Sequence, residues 1–258
     1  MKSLAIANHK GGVAKTATAH ALGAAMAGQG LRVLLVDTDP QGSLTRAAGA
    51  GDIIGRSLAD VLGGATPGKM AMKDVILDLG QGLSLAPADI ALATCELGLN
   101  SRLGRETVLK KALATVGDRF DICVIDCPPS LGLLTVGALV AAAGVLIPTQ
   151  PQAADLRGLS LFLETLETIK SELNPELQTV GILVTFYDGR LNHHKAALDA
   201  MQRASLPLLP VTVGRSVRVA EAAGAGQSVM TYDPGNPQAA AYKQLAEVVT
   251  EWLRNSQT

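Results

Sequence analysis

The feature that most constrains this chain is a set of short, almost unbroken apolar runs, such as RVLLVD at 32–37 and DICVID at 121–126, recurring between longer segments of helical period. A strand with one face in water alternates apolar and polar residues. A strand that is apolar throughout is covered on both faces, as in a parallel sheet held between two helical layers. Strands are expected at residues 4–8, 32–37, 83–86, 121–126, 145–148, 180–186 and 208–211. Apolar spacing of three and four residues places helices at 16–29, 105–116, 133–142, 156–173, 192–204 and 238–254. In the last of these, Tyr242, Leu245, Ala246, Val249, Trp252 and Leu253 make one stripe. It is expected to be core rather than a membrane anchor, because few basic residues accompany it. The alternation from end to end predicts an α/β fold with a doubly wound, mostly parallel sheet and helices on both faces. One domain over residues 1–258 is expected, a length that a single core can serve. The Gly-rich stretch 49–82, with a short helical piece at 57–62, is expected to be an irregular insertion.

The formal net charge of −1 excludes a globally basic nucleic-acid binder, so any contact with DNA must come from a local patch. Cys95, Cys123 and Cys127 are odd in number and form no C-x-x-C pair, which fits buried small apolar residues in a reducing compartment better than a disulfide framework. The apolar stretch near the N-terminus is too short for a signal peptide, and Gly, Lys and Asp interrupt every later apolar run. A soluble, cytoplasmic protein is expected.

Between the first strand and the first helix lies NHKGGVAKTAT, a Gly-containing turn that ends in Lys15-Thr16 at a helix start. Amides left unpaired at a helix N-terminus bind phosphate oxygens, and Gly11 and Gly12 let the main chain approach closely. Lys15 is then placed for β- and γ-phosphates and the Thr16 hydroxyl for Mg²⁺. The match to G-x-x-x-x-G-K-[ST] is imperfect, with His9 at the first Gly position and Ala14 at the second. Two acidic strand ends point to the same edge. RVLLVDTDPQGSLT carries Asp37 and Asp39, and DICVIDCPPS carries Asp126, at the carboxyl ends of strands, where open α/β sheets bind ligands. A strand-end Asp is often only a helix cap. Three beside a Lys-Thr helix start can hold Mg²⁺-bound water or orient an attacking water near a γ-phosphate.

The segment Lys10-Gly11-Gly12-Val13-Ala14-Lys15-Thr16 resembles the deviant Walker A motif, K-G-G-x-G-K-[ST], of the ParA/Min ATPase superfamily. VLLVDTDPQG and VIDCPPSLGLLT resemble the Walker A′ and Walker B segments of ParA/Soj proteins. The resemblance extends through LVTFYDGR, GRSVRVAEAAGAGQSV and the AAAY-x-x-LA ending, over almost the whole chain outside residues 49–82. It implies ATP and Mg²⁺ as cofactors and a homodimer closed across two nucleotides. Lys10 matches the signature lysine that reaches the neighbouring subunit's phosphates. Asp39 matches the acidic residue that positions the hydrolytic water and lies near the metal, Asp126 the Walker B residue near Mg²⁺, and Asp37 a carboxylate accompanying them. Residues 10–17, Ala17 included, would surround the phosphates, with Phe186 and residues 148–151 as neighbours of the base. The resemblance also implies non-specific binding of double-stranded DNA by the dimer through Arg190, Arg218 and the nearby Arg215, a nucleoid-associated location, and a ParB-like adaptor that stimulates hydrolysis.

Several positions depart from the family pattern. Ala14 stands for Gly, Ala17 for Thr, His9 for Gln, and Gly214-Arg215 for Pro-Arg. If residue 14 needs φ > 0, its Cβ costs on the order of 1 kcal/mol. These changes keep a hydrolysis-deficient, nucleotide-gated scaffold open as an alternative, and a Min-like or organelle-positioning ATPase as another. A membrane-binding Min type needs a basic amphipathic tail, and EWLRNSQT offers one arginine. His193-His194 is expected to be a surface pair whose rings point apart. The chain opens at its first strand, so no N-terminal extension for sequence-specific DNA binding is expected.

Overall fold

The computed structural model describes residues 1–51 and 55–255. Eight strands, β1 (Lys2–Ile6), β2 (Val33–Asp37), β3 (Leu77–Gly80), β4 (Leu83–Ala86), β5 (Ile122–Asp126), β6 (Gly144–Thr149), β7 (Gln178–Thr185) and β8 (Leu208–Val213), form one sheet in the order β3-β4-β2-β5-β1-β6-β7-β8. Every neighbouring pair is parallel except β3 and β4. The continuous apolar runs therefore have the arrangement their composition demands. Leu4 and Ile6 face one core cluster while Ala5 and Ala7 face the other, and the residues of β2 and β5 divide in the same way.

One face is covered by α1 (Lys15–Gly28), α2 (Ser43–Ala47), α10 (Val217–Gly224), α11 (Val229–Tyr232) and α12 (Pro237–Asn255). The other carries α3 (Leu58–Leu62), α4 (Met72–Val75), α5 (Ala91–Leu99), α6 (Val108–Ala114), α7 (Leu133–Ala141) and α8 (Ala153–Glu172). α9 (Asn192–Arg203) lies between β7 and β8 in the chain. The stripe of α12 is core as expected, with Tyr242, Leu245, Ala246 and Val249 essentially unexposed and Trp252 at its margin.

Three departures from the sequence reading have physical causes. The stretch 49–82 is not merely irregular. Ser57 starts α3 with a capping box closed by Asp60, α4 follows, and β3 adds an antiparallel edge strand; residues 52–54 lie outside the described residues. Elements of four or five residues are too short to show a period. The helix expected at 105–116 begins as a 3₁₀ turn, Arg105–Thr107, entered through Gly104 at φ 66°. Helices α2, α5, α10 and α11 were not expected: α2 and α11 are only four or five residues long, α5 is apolar with little sidedness, and α10 is a two-turn helix that buries only Ala222. The strand order places β1 between β5 and β6, so the carboxyl end of β1 opens where the sheet changes winding direction, the position at which open α/β sheets form a crevice.

Candidate nucleotide-binding site

Beyond β1, residues 8–14 are held by groups far away in sequence. The buried Asn8 amide donates to the Pro148 carbonyl at 2.8 Å and to Thr149 Oγ1 at 3.1 Å, and its oxygen accepts the Lys10 N–H. Gln150 Nε2 donates to the Gly12 carbonyl at 2.8 Å, and Thr185 Oγ1 to the Val13 carbonyl at 3.1 Å. His9 lies against Phe162, and the space it needs exists because residue 158 is glycine: a Cβ there would sit 2.8 Å from His9 Nε2. Gly12 (φ 73°) and Ala14 (φ 67°) take left-handed conformations that turn the chain into α1. Ala14 is the N-cap and supplies no side-chain acceptor, so the first amides of α1 are left for an external anion.

The acidic strand ends converge on this helix start. β2 and β5 are in register with Asp37 opposite Asp126, and both carboxylates are completely buried. Asp37 accepts from the Thr45 N–H and Oγ1–H, each at 2.8 Å, and from the Asp39 N–H at 3.1 Å. It therefore ties α2 to the sheet, and burial still pushes its pKa up to about 6. Neither oxygen of Asp126 has a hydrogen-bond partner among the described residues. Burial, reinforced by Asp37, drives its pKa well above the carboxylate range, while the nearby Thr16 hydroxyl and Lys15 ammonium pull it down without closing a well-formed bond. Lys15 is itself buried, and desolvation lowers its pKa against the attraction of Asp126, Cys127 and Asp39. Its ammonium donates to the Lys10 carbonyl at 2.9 Å. Asp39 is half-buried at the cavity edge, with Oδ1 accepting the Gln41 N–H.

A cavity of about 540 Å³ opens from this point. Gly11, Gly12, Ala14, Lys15, Thr16 and Ala17 line it, as do Asp39 and Phe186, the latter at φ 52°. Lys10 and Val13 do not line it: Val13 is buried, and Lys10 Nζ reaches the side chain of Gln152 on its own chain at 3.2 Å. Residues 148–151 do not line it either; they hold the loop from behind through Asn8 and Gln150. The arginines divide. Arg190 is bidentate to Asp188, and Arg218 pairs with Glu221 at 2.9 Å and Asp233 at 3.6 Å. Arg215 is exposed, makes no ion pair among the described residues, and lies 5.4 Å from the Phe186 ring centre. The His193 and His194 rings do not point apart. They meet edge to face at 4.5 Å because His194 turns back at the start of α9 to accept the Asp188 N–H. All three cysteines are buried thiols, as expected.

Sequence reading missed the residues that position the loop, namely Asn8, Gln150 and Thr185. Only Asn8 carried a signal, a polar residue ending an apolar strand.

Two substitutions test this geometry. Ala14→Gly removes a Cβ from a left-handed position; net of the freedom glycine gains when unfolded, urea denaturation should show about 0.5–1 kcal/mol more stability. Asp126→Asn removes a buried acid whose ionised form no donor satisfies. Without ligand at neutral pH it should raise stability by about 1–3 kcal/mol. Because the folded-state pKa of Asp126 is raised, the folded wild type binds the extra proton and its stability falls as pH rises through that window. The advantage of Asp126→Asn should therefore shrink on acidification.

The same chain can be set beside known proteins. A profile described as an AAA domain matches residues 1–179. The sporulation initiation inhibitor protein Soj of Bacillus subtilis is 38% identical over 260 residues, covering 96% of this chain and 98% of Soj. The chromosome partitioning protein ParA of Caulobacter vibrioides is 38% identical over 261 residues, covering 100% and 97%. A solved structure described as cobyrinic acid a,c-diamide synthase from Mycobacterium smegmatis, with bound ADP and magnesium, superposes with a TM-score of 0.85 at 38% identity, covering 97% of this chain and 95% of that one. With its loop, acidic strand ends and full-length similarity to Soj and ParA, the chain belongs to the ParA/Soj family of P-loop ATPases.

Proposed function

We propose that residues 1–258 are a single P-loop ATPase domain that uses ATP and Mg²⁺ to switch a homodimer onto non-specific DNA, and so segregates or positions a cargo over the nucleoid in the cytoplasm. The observation that carries this reading is the Asp126 carboxylate, fully buried and unpartnered beside Lys15 and Thr16, at the mouth of a loop whose helix-start amides face a cavity. A carboxylate so placed is stabilised by a cation. Thr16 and Asp126, with Asp39 on the open side, are the groups that would hold Mg²⁺ or its waters. Among the described residues no three His, Cys, Asp or Glu side chains converge on a metal position. That suits Mg²⁺, which takes most of its ligands from water and phosphate. When bound, the ion would neutralise charge on the transferring phosphoryl group.

The chain's own residues supply the remaining roles. Amides from Gly11 to Ala17 cradle the phosphates, and Lys15 exchanges the Lys10 carbonyl for a phosphate oxygen. Asp39 orients the attacking water. Lys10, held on Gln152 in the single chain, swings out to the nucleotide of the second subunit, so hydrolysis and dimerisation depend on one another. Arg215 is the arginine most available to DNA phosphates, since Arg190 and Arg218 must first give up carboxylate partners. Two-fold symmetry doubles each contact. A ParB-like adaptor that stimulates hydrolysis completes the cycle. No described helix is long and apolar enough to cross a membrane.

The synthase name of the Mycobacterium smegmatis structure points to a different chemistry, amidation of a carboxylic acid. Apart from Lys15, which the phosphates require, no Lys or Arg among the described residues lines the cavity. A carboxylate-bearing second substrate would find no cation there.

Two measurements test the switch. Binding to random-sequence duplex DNA should require ATP rather than ADP and weaken with salt. Arg215→Ala should lower the slope of log K against log salt by about 0.9 per lost phosphate contact, about twice that in a dimer, and by more than Arg190→Ala does. Binding that ignores the nucleotide would overturn the DNA switch. ATP turnover by the wild type should exceed that of Lys15→Ala. Equal turnover with ATP-dependent dimerisation intact would replace the enzyme with a nucleotide-gated scaffold.

A further inference from the structure

The cavity does not end at the phosphate loop. It continues between α1, α2 and the α10–α11 turn, and the charged lining residues among those described, Lys15 and Asp39, both belong to the phosphate end. Into the other end projects His20, one turn beyond Thr16 and so on the same stripe of α1. Its side chain is nearly buried, at 6% exposure, yet makes no hydrogen bond to any described residue. Desolvation pushes its pKa down to about 4, so at neutral pH the ring is uncharged and offers one N–H donor and one bare nitrogen acceptor. Ring nitrogens with no protein partner that open into a cavity are free to bind what enters it.

The surroundings define what that partner is. The other polar residues that line the cavity beyond the loop include Ser43, Ser216, Gln227, Ser228 and Tyr242, all with neutral groups, beside apolar walls from Ala47, Ala223 and Val229. Ser228 Oγ accepts the Met230 N–H at 3.3 Å and keeps its own proton to donate. Among the described residues, a phosphate or carboxylate would find no cation beyond the loop, and a cationic group would find no carboxylate there. A neutral group with donors and acceptors along an edge fits, which is the chemistry of a nucleobase and its ribose. The compartment is also continuous with the phosphate loop, so one ligand can span both ends.

We propose that His20 is a specificity-determining contact for the nucleoside end of the nucleotide whose phosphates lie on the loop. The inference rests on the nucleotide reading above but names a recognition group that neither the phosphate motif nor the acidic strand ends contain.

Calorimetric titration of ATP, GTP and inorganic tripolyphosphate, each with Mg²⁺, tests it on the full chain. His20→Ala should weaken ATP about five-fold or more and change the ATP:GTP affinity ratio about three-fold, with tripolyphosphate unaltered. His20→Gln, which retains a donor and an acceptor, should recover part of the loss. His20→Phe, which fills the compartment, should weaken ATP further and still spare tripolyphosphate. Unchanged ATP affinity, an unchanged ATP:GTP ratio, or equal losses for ATP and tripolyphosphate in His20→Ala would overturn the proposal. If the wild type bound neither ATP nor tripolyphosphate better than Lys15→Ala, the nucleotide reading itself would fall, a result distinct from selective failure at His20.

Discussion

The site depends on one pair of buried acids. Parallel pairing of β2 with β5 sets Asp37 directly opposite Asp126, and neither side chain touches solvent. Two carboxylates side by side in a low-dielectric interior cannot both ionise without compensation. Asp37 finds it in three donors from Thr45 and Asp39. Asp126 finds none, and the groups near enough to help, Lys15 and Thr16, sit on the first turn of the helix that follows the phosphate loop. The sheet register thus creates an electrostatic deficit at the point where the loop delivers an ammonium, a hydroxyl and unpaired amides. Such a place accepts a metal–phosphate ligand because that ligand resolves the deficit.

The loop is held in readiness by the opposite half of the sheet. Thr185 at the end of β7 and Gln150 just beyond β6 grip the carbonyls of Val13 and Gly12, and Asn8 is fastened to β6. These bonds sustain a left-handed Ala14 that a free peptide would avoid. The Lys15 ammonium, by contrast, rests on a backbone carbonyl, a contact that a ligand oxygen can replace without rebuilding the main chain, and the Lys10 ammonium counts a glutamine amide oxygen among its contacts.

The three arginines show how little charge alone says about a surface. Arg190 and Arg215 lie on the loops that follow β7 and β8, which are joined where the Tyr187 N–H meets the Val213 carbonyl, and Arg218 lies on the first turn of α10. Asp188 neutralises Arg190, and Glu221 with Asp233 neutralises Arg218. Arg215 is held over an aromatic face instead, keeping its full charge near the rim of the cavity. Residues that a motif treats as equivalent differ in what each must release before meeting a polyanion.

The sequence by itself determined the layers of the fold, since strands apolar on both faces admit a covered, mostly parallel sheet and little else. It also determined which residues stand at the carboxyl edge, because Asp37, Asp39, Asp126 and the Lys15-Thr16 helix start each follow an apolar run whose end is visible. The short elements within 49–82 and the helices α5, α10 and α11 were not legible: elements of four or five residues carry no period, α5 is apolar with little sidedness, and α10 has only two turns. Only the tertiary structure decided that Asp126 is orphaned while Asp37 is satisfied, that Val13 and Lys10 stand outside the cavity, and that His20 faces into it. Each of these depends on which side chains from other strands and helices occupy the same few ångströms, and a linear sequence does not carry that information.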